Sequence, residues 1–251
     1  MDRDELKTSR EFLKDTLRLT IDFRRTEQNR GLAPPPLEKP AEAGQRLVAL
    51  PGKEAFRSFA GTSLLAAIER RRSHRSFRTE ALSLAELAFL LWSTQGIVRK
   101  LGPGCALRTV PSAGCRHAFE TYLLVSNVAE LEPGIYRYLP MEHSLVFEMS
   151  GEELHDRLIP AVLGQSFVAE AAVTFVWTVI PHRMEWRYHT AAHRVIAMDV
   201  GHVCQNLYLA CEAIGAGTCA IAAYHQQRMD RLLDIDGENE FTIYLAPVGK
   251  V

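Results

Sequence analysis

The sequence predicts an α+β fold, a sheet covered by helices, from three observations. Strand-like and helix-like segments do not alternate in βαβ order, Ala171 to Ile180 is a continuous apolar run suited to a central strand, and Ala191 to Ile214 carries the longest helical pattern. At 251 residues the chain buries one sizeable core, and no internal repeat divides it. The expected organisation is an N-terminal helix and extended arm over 1–60, then one compact domain over 61–251.

From about Asp4 to Gln28, helix-forming residues carry dense charge. Gly31-Leu32-Ala33-Pro34-Pro35-Pro36 then stops any helix, because proline lacks the amide hydrogen and clashes with the preceding turn. The arm that follows to about Gly61 reads as an extension on the main body or on a second subunit, with a partly disordered tail as the open alternative. Leu64-Leu65-Ala66-Ala67-Ile68, running into Arg70-Arg71-Arg72-Ser73, predicts a helix ending in a basic turn. Ser83-Leu84-Ala85-Glu86 has the form of a capping box that opens an amphipathic helix through Leu87, Leu90 and Leu91 toward Gln95-Gly96.

Strands are expected at His117 to Val125, Ile135 to Leu139 and Leu145 to Phe147, separated by turn signals at Pro133-Gly134 and Pro140 to His143. A second capping pattern, Ser150-Gly151-Glu152-Glu153, predicts the start of a helix. In the core-helix pattern Val195, Met198, Val203, Leu207 and Ala210 are apolar, and Gly215 and Gly217 end it. Cys219 to Tyr224 and Phe241 to Pro247 complete the order as strands around a short helix at about Gln226 to Leu233.

Composition narrows the function classes. With 29 basic and 30 acidic residues, no long-range field favours nucleic acid or an anionic membrane surface, which leaves a small-molecule or protein partner. The run from Ala171 to Pro181 is too short to span a bilayer, and the MDRDELK start holds no apolar secretory core, so a cytoplasmic protein is expected. The five cysteines, odd in number and without a C-x-x-C pair, fit reduced thiols.

Three segments are candidates for chemistry. In Arg71-Arg72-Ser73-His74-Arg75-Ser76-Phe77, fork-shaped guanidinium donors and a hydroxyl lie close enough to hold a phosphate dianion. Alone, the cluster reads more readily as solvated charge at a helix end. Pro111-Ser112-Ala113-Gly114 is a small-residue turn that lets backbone approach a flat ligand, and alone it is an ordinary turn. Gly215 to Ala223 leaves a flat surface beside a strand, with close helix-strand packing as the equal alternative.

Order and spacing combine them. The chain carries R-R-S-x-R-x-F, then P-S-A-G, then Gly134-Ile135-Tyr136-Arg137-Tyr138, Gly164-Gln165, Asp199-Val200-Gly201-His202-Val203-Cys204-Gln205-Asn206-Leu207 and finally Val248-Gly249-Lys250. With this ensemble it resembles the nitroreductase superfamily from about Leu64 onward, and the G-I-Y-x-Y and G-H-x-x-Q-N-L segments are similar to its SagB-type (thiazoline oxidase-like) dehydrogenase branch. The resemblance implies a mixed, largely antiparallel sheet flanked by helices in a homodimer with FMN at the subunit interface. It implies an FMN-dependent oxidoreductase that transfers hydride between a small-molecule or peptide substrate and flavin N5.

By the same resemblance Arg71, Ser73, Arg75 and Lys250 bind the FMN phosphate and ribityl chain, with Arg72 near the pyrimidine edge. Pro111, Ser112, Ala113 and Gly114 form the turn against the ring, usually from the other subunit; Gln165 meets its polar edge, and Ala222 and Ala223 bring amides near N5 and O4. Cations and fixed amides there stabilise the negative charge of a reduced flavin.

One position departs from that pattern. Azoline-oxidising relatives tend to carry a Lys-Tyr pair before the core helix, whereas this chain has Arg187-Tyr188. Arginine does not shed its proton at working pH, so a lysine-type general base is lost and Tyr188 is left as the candidate proton donor, with a packed aromatic as the even alternative.

His189 and His193 stand one helical turn apart, but H-x-x-x-H without an internal glutamate and a third ligand does not predict a metal. They are expected to line the substrate side or to cap a helix, and His202 to be a satisfied interior histidine. Two rival readings stay open: an NAD(P)H-dependent nitro or quinone reductase, and a non-enzymatic partner-binding scaffold with a degenerate flavin site.

Overall fold

The computed structural model describes residues 3–251; Met1 and Asp2, which belong to the expected N-terminal segment, lie outside the described residues. Helix α1 (Arg3–Glu11) buries no residue, so packing adds nothing to extend it. The helical pattern expected through Gln28 breaks into 3-10 turns at Thr16–Thr20 and Phe23–Arg25, the second begun by the Asp22 carboxylate accepting the Arg24 amide at 3.2 Å. Next come strand β1 (Leu47–Ala49), a 3-10 segment at Lys53–Phe59, and helices α2 (Leu64–Arg70) and α3 (Leu84–Gln95). At α3 the capping box is complete: Ser83 Oγ accepts from Glu86 N at 3.2 Å, and the Glu86 carboxylate accepts from Ser83 N at 2.9 Å.

Strands β2 (Ile97–Gly102) and β3 (Cys105–Arg108) form a separate hairpin. They are followed by β4 (Phe119–Val125), β5 (Gly134–Leu139) and β6 (Ser144–Ser150), then helix α4 (Leu154–Ala161) and strand β7 (Val173–Val179). The second capping pattern does not cap α4. Ser150 is still paired in β6 with Gly134, its hydroxyl accepts only from Glu152 N, and Glu153 precedes the helix at φ 58° without a side-chain bond.

Helices α5 (His182–Tyr188) and α6 (Ala192–Ala213), strand β8 (Ala216–Thr218), helix α7 (Gln226–Leu232) and strand β9 (Phe241–Lys250) complete the chain. The strand expected at Cys219 to Tyr224 lies earlier, at β8. Ala220 N leaves the ladder to donate to Tyr208 Oη at 2.9 Å, and only Ile221 returns, bridging Leu245.

The main sheet has the order β1-β6-β5-β4-β7-β9-β8, with every neighbouring pair antiparallel. Apolar clusters cover both faces. On one side Leu123, Phe175, Trp177 and Val248 pack with Leu87, Leu91, Val203 and Leu207 of α3 and α6; on the other Tyr122, Leu124, Val176 and Leu245 pack with Leu158 of α4 and Met229 of α7. Two covered faces explain why the β7 run lacks polar alternation although its sheet is antiparallel. Within α6, Val203, Leu207 and Ala210 are buried as expected, whereas Met198 is 47% exposed. No helix among the described residues is long and apolar enough to cross a membrane.

The arm lies on the body of the same chain. Side chains take up its proline-rich carbonyls: Arg108 Nη2 donates to Leu37 O, Arg137 to Lys39 O and Pro40 O, and Trp186 Nε1 to Leu32 O. Glu120, buried between Arg137 and Arg183, accepts from Arg183 and from Lys39 N. Beyond this strap β1 pairs with β6, so the stretch set apart as an extension supplies the edge strand of the main sheet.

Candidate active site

Helix α6 supports two clusters. Near its C-terminal end Tyr208 gathers the basic segment. Its hydroxyl lies 2.9 Å from Ser73 Oγ and accepts from Ala220 N at 2.9 Å, while the Arg71 guanidinium sits over its ring at 5.2 Å. The segment is laid along β8: Ser73 bridges Thr218, His74 N donates to Thr218 O at 2.9 Å, and Arg78 N donates to Lys250 O at 2.9 Å. Side chains at Gly217 and Gly249 would collide with His74 and Phe77 at 2.7 and 2.9 Å, so both glycines are needed for this close approach. Ser73 and Arg75 are exposed and Arg71 is half-buried.

The donors differ in their availability. Among the described residues, Arg71 and Arg75 have no hydrogen-bonded acceptor for their guanidiniums, whereas Arg72 Nη1 already donates to the carbonyls of Glu69, Arg70 and Arg71. Lys250 Nζ is already engaged, contacting Glu86 Oε1 at 2.5 Å and Ile214 O at 2.8 Å. Thr218 Oγ1, buried beside Ser73, lacks a partner. Two free guanidiniums, a hydroxyl and an unsatisfied neighbour fit a phosphate-bearing group. The rim continues to Ala222 and Ala223, both exposed, where Gln165 Nε2 donates to Ala223 O at 2.9 Å.

The second cluster lies at the other end of α6. Buried Asp199 accepts from Ala113 N at 3.2 Å and hydrogen-bonds the Ser112 side chain; burial raises its carboxyl above the ordinary aspartate range. Ser112 Oγ also accepts from His117 N at 3.0 Å. His117 is buried with Nε2 3.1 Å from Ala106 O, and burial, reinforced by the nearby Arg108 charge, pushes it down to about 3. Pro111 and Gly114 are exposed, and Gly114 has φ 60°. A Cβ there would meet Arg187 Nε and Tyr188 Oη, each at 2.7 Å, so the turn rests directly on the Arg187-Tyr188 pair.

Arg187 Nε donates to Tyr188 Oη at 3.2 Å, and its Nη1 donates to Gln28 Oε1 of the arm at 3.1 Å. His193 is matched to Glu185 at 2.8 Å, and no group of three or more metal-ligating side chains occurs among the described residues. His202 is exposed, because α6 turns that face away from the core that buries Val203 and Cys204.

The structure therefore joins Arg71 and Ser73 to the β8 edge, Gln165 to Ala223, and Ser112 to Gly114 with Arg187 and Tyr188. It separates the last set from the first: Asp199 and Tyr208 are nine residues apart on α6, about 14 Å along its axis. The sequence assigns no site role to Tyr208, Asp199 or Gln28 and places Glu86 only in the capping box of α3; Asp199 opens the D-x-G-H-x-x-Q-N-L segment.

The Nitroreductase family model matches residues 68–250. The Methanocaldococcus jannaschii protein MJ1384, a nitroreductase by name, is 34% identical over 181 residues, covering 72% of this chain and 87% of that protein. The trifolitoxin-processing protein TfxB of Rhizobium leguminosarum bv. trifolii is 28% identical over 133 residues, 51% of this chain and 36% of TfxB. Among solved structures, a nitroreductase-designated protein of Ralstonia eutropha superposes with a TM-score of 0.68 at 25% identity, covering 88% of this chain and 94% of its own. The E. coli microcin synthetase McbBCD, with truncated pro-MccB17 bound, matches in fold at a TM-score of 0.62 and 21% identity, over 85% of this chain and 78% of that one.

Proposed function

The chain belongs to the nitroreductase family, and on that premise we propose that it is an FMN-dependent oxidoreductase of the SagB-type dehydrogenase branch. The observation that carries the reading is the basic segment at the β8 edge, where Arg71 and Arg75 have no acceptor of their own beside Ser73 and the orphaned Thr218 hydroxyl. Members of the family typically use FMN. Arg71, Ser73 and Arg75 would bind its phosphate, and Gln165, Ala222 and Ala223 would face its ring. Lys250 joins them only by leaving Glu86. When bound, FMN supplies the hydride-accepting and hydride-donating centre.

The chain's own groups do the rest. Tyr188 Oη, hydrogen-bonded by Arg187 and packed on Gly114, would hold or deliver a proton on the substrate side. Arg187, a guanidinium with fork-shaped donors, would orient a substrate group rather than exchange protons. The distance along α6 between the Gly114 turn and the basic segment supports a site completed by a second copy. The exposed α2 residues Leu64 (66%), Leu65 (66%) and Ile68 (56%) provide apolar surface for that dimer. Similarity to TfxB and to a peptide-bound synthetase supports a peptide or small-molecule substrate.

Absorption spectra of the purified protein, with a mass of any released ligand, test the cofactor. A flavin spectrum and an FMN mass are expected, and Arg71→Ala or Arg75→Ala should each weaken retention about tenfold or more. Colourless protein that ignores added FMN would overturn the reading in favour of a scaffold. Anaerobic addition of NAD(P)H separates the two enzyme readings: an unbleached flavin supports the dehydrogenase, and rapid bleaching supports the nitro or quinone reductase.

A further inference from the structure

We infer that the cavity between the N-terminal segment and the α5–α6 junction is an anion subsite that takes a carboxylate-bearing part of a ligand, such as an acidic peptide residue. The cavity measures about 670 Å³, within the range of small-ligand sites, and Arg24, Arg25, Arg30, His182, His189 and His193 stand among its lining.

Two of its three guanidiniums have no hydrogen-bonded acceptor. Arg24 is paired with Asp22 at 2.9 and 3.1 Å, and the two carboxylates of the lining are already hydrogen-bonded, Glu27 with His182 at 2.9 Å and Glu185 with His193 at 2.8 Å. Among the described residues Arg25 and Arg30 have no acceptor for their guanidiniums. Two cations without a bonded counterpart therefore face one cavity in a chain whose formal net charge is −1. Guanidinium forks fit carboxylates in two parallel bonds.

The wall that carries them is ordered by the body. Gln28 N donates to Trp186 O and Leu32 N to Glu27 O, both at 3.0 Å, and Gln28 Oε1 accepts from Arg187. The facing residue His189 stands at φ 50°, ψ −140°, a conformation unfavourable for a non-glycine residue that persists only where its surroundings enforce it. Tyr188, its chain neighbour, contacts the Gly114 turn, so the cavity adjoins the substrate side of the site. That the bound carboxylate belongs to the substrate rests on the function proposed above; the existence of the subsite does not.

Calorimetric titration of capped triglutamate and capped triglutamine into the full chain, with and without added FMN, tests it. Triglutamate should bind, more weakly as salt is raised, and triglutamine should not. Arg25→Ala/Arg30→Ala should lower triglutamate affinity about tenfold or more. Glu185→Gln, which removes a competing carboxylate, should raise it. Equal binding of both peptides, unchanged affinity in the double variant, or binding of inorganic phosphate in place of triglutamate would overturn the subsite. If triglutamate binds a protein that takes up no FMN, the subsite stands and the flavin reading falls.

Discussion

The two ends of α6 carry differently built walls. At the Asp199 end the Pro111–Gly114 turn is saturated: Ala113 N, Ser112 Oγ and His117 N all have partners, and Asp199 and His117 are buried. At the Tyr208 end Ser73 and Arg75 are exposed, and the guanidiniums of Arg71 and Arg75 have no acceptor among the described residues. Burying a polar group without a partner costs free energy, so the first wall must be complete before any ligand arrives, whereas water can satisfy the second until a ligand replaces it. Substitutions at the Asp199 end should therefore register in stability, and those at the Tyr208 end in binding.

The largest effect should come from pH at the buried end. Folding holds His117 neutral, down to about 3, while the unfolded chain titrates near the ordinary histidine value. Its contribution is complete above that value and is lost as pH falls toward about 3, amounting to about 2 kcal/mol by about pH 5. His117→Gln keeps a donor for Ala106 O and does not titrate. Denaturant unfolding between pH 7.5 and about pH 5 should show a steeper decline for the native chain than for the variant; parallel curves would mean that His117 is not buried as described. Next in size, Asp199→Ala orphans Ala113 N and should cost about 1–3 kcal/mol, roughly 2–4 °C in Tm for each kcal/mol. A loss of FMN affinity without that fall in Tm would reverse the roles of the two walls.

Much of this frame is legible in the sequence, because the strands and α6 are long and their apolar patterns are set by burial. The Ser83–Glu86 box reads correctly since both of its bonds are local. Ser150–Glu153 has the same form and fails because β6 holds Ser150 in pairing with Gly134, a contact no local pattern encodes. Nor does one encode the arm: its hold on the body comes from Arg108, Arg137 and Glu120, distant in the chain and buried. Within the candidate site the motifs mark which segments meet, but not which side chains have outlets. Lys250 belongs to a motif and is tied to Glu86, while Tyr208, to which no motif gave a role, gathers Ser73, Arg71 and Ala220.

Tyr208→Phe is the finest test of the two-wall contrast. It deletes one hydroxyl and keeps the ring under Arg71, so both the packing and the cation-π contact survive. Its former partners have access to water, Ser73 being exposed and Ala220 half-buried, which holds the stability cost to about 1 kcal/mol or less. FMN affinity should fall by a similar free energy, roughly fivefold, because Ser73 loses the anchor that fixes its hydroxyl beside the guanidiniums. Chemical denaturation and FMN titration of the same preparation read both quantities. If Tyr208→Phe costs more stability than Asp199→Ala, the Tyr208 end is a structural joint as rigid as the other, and the basic segment is held for the fold before it is held for a ligand.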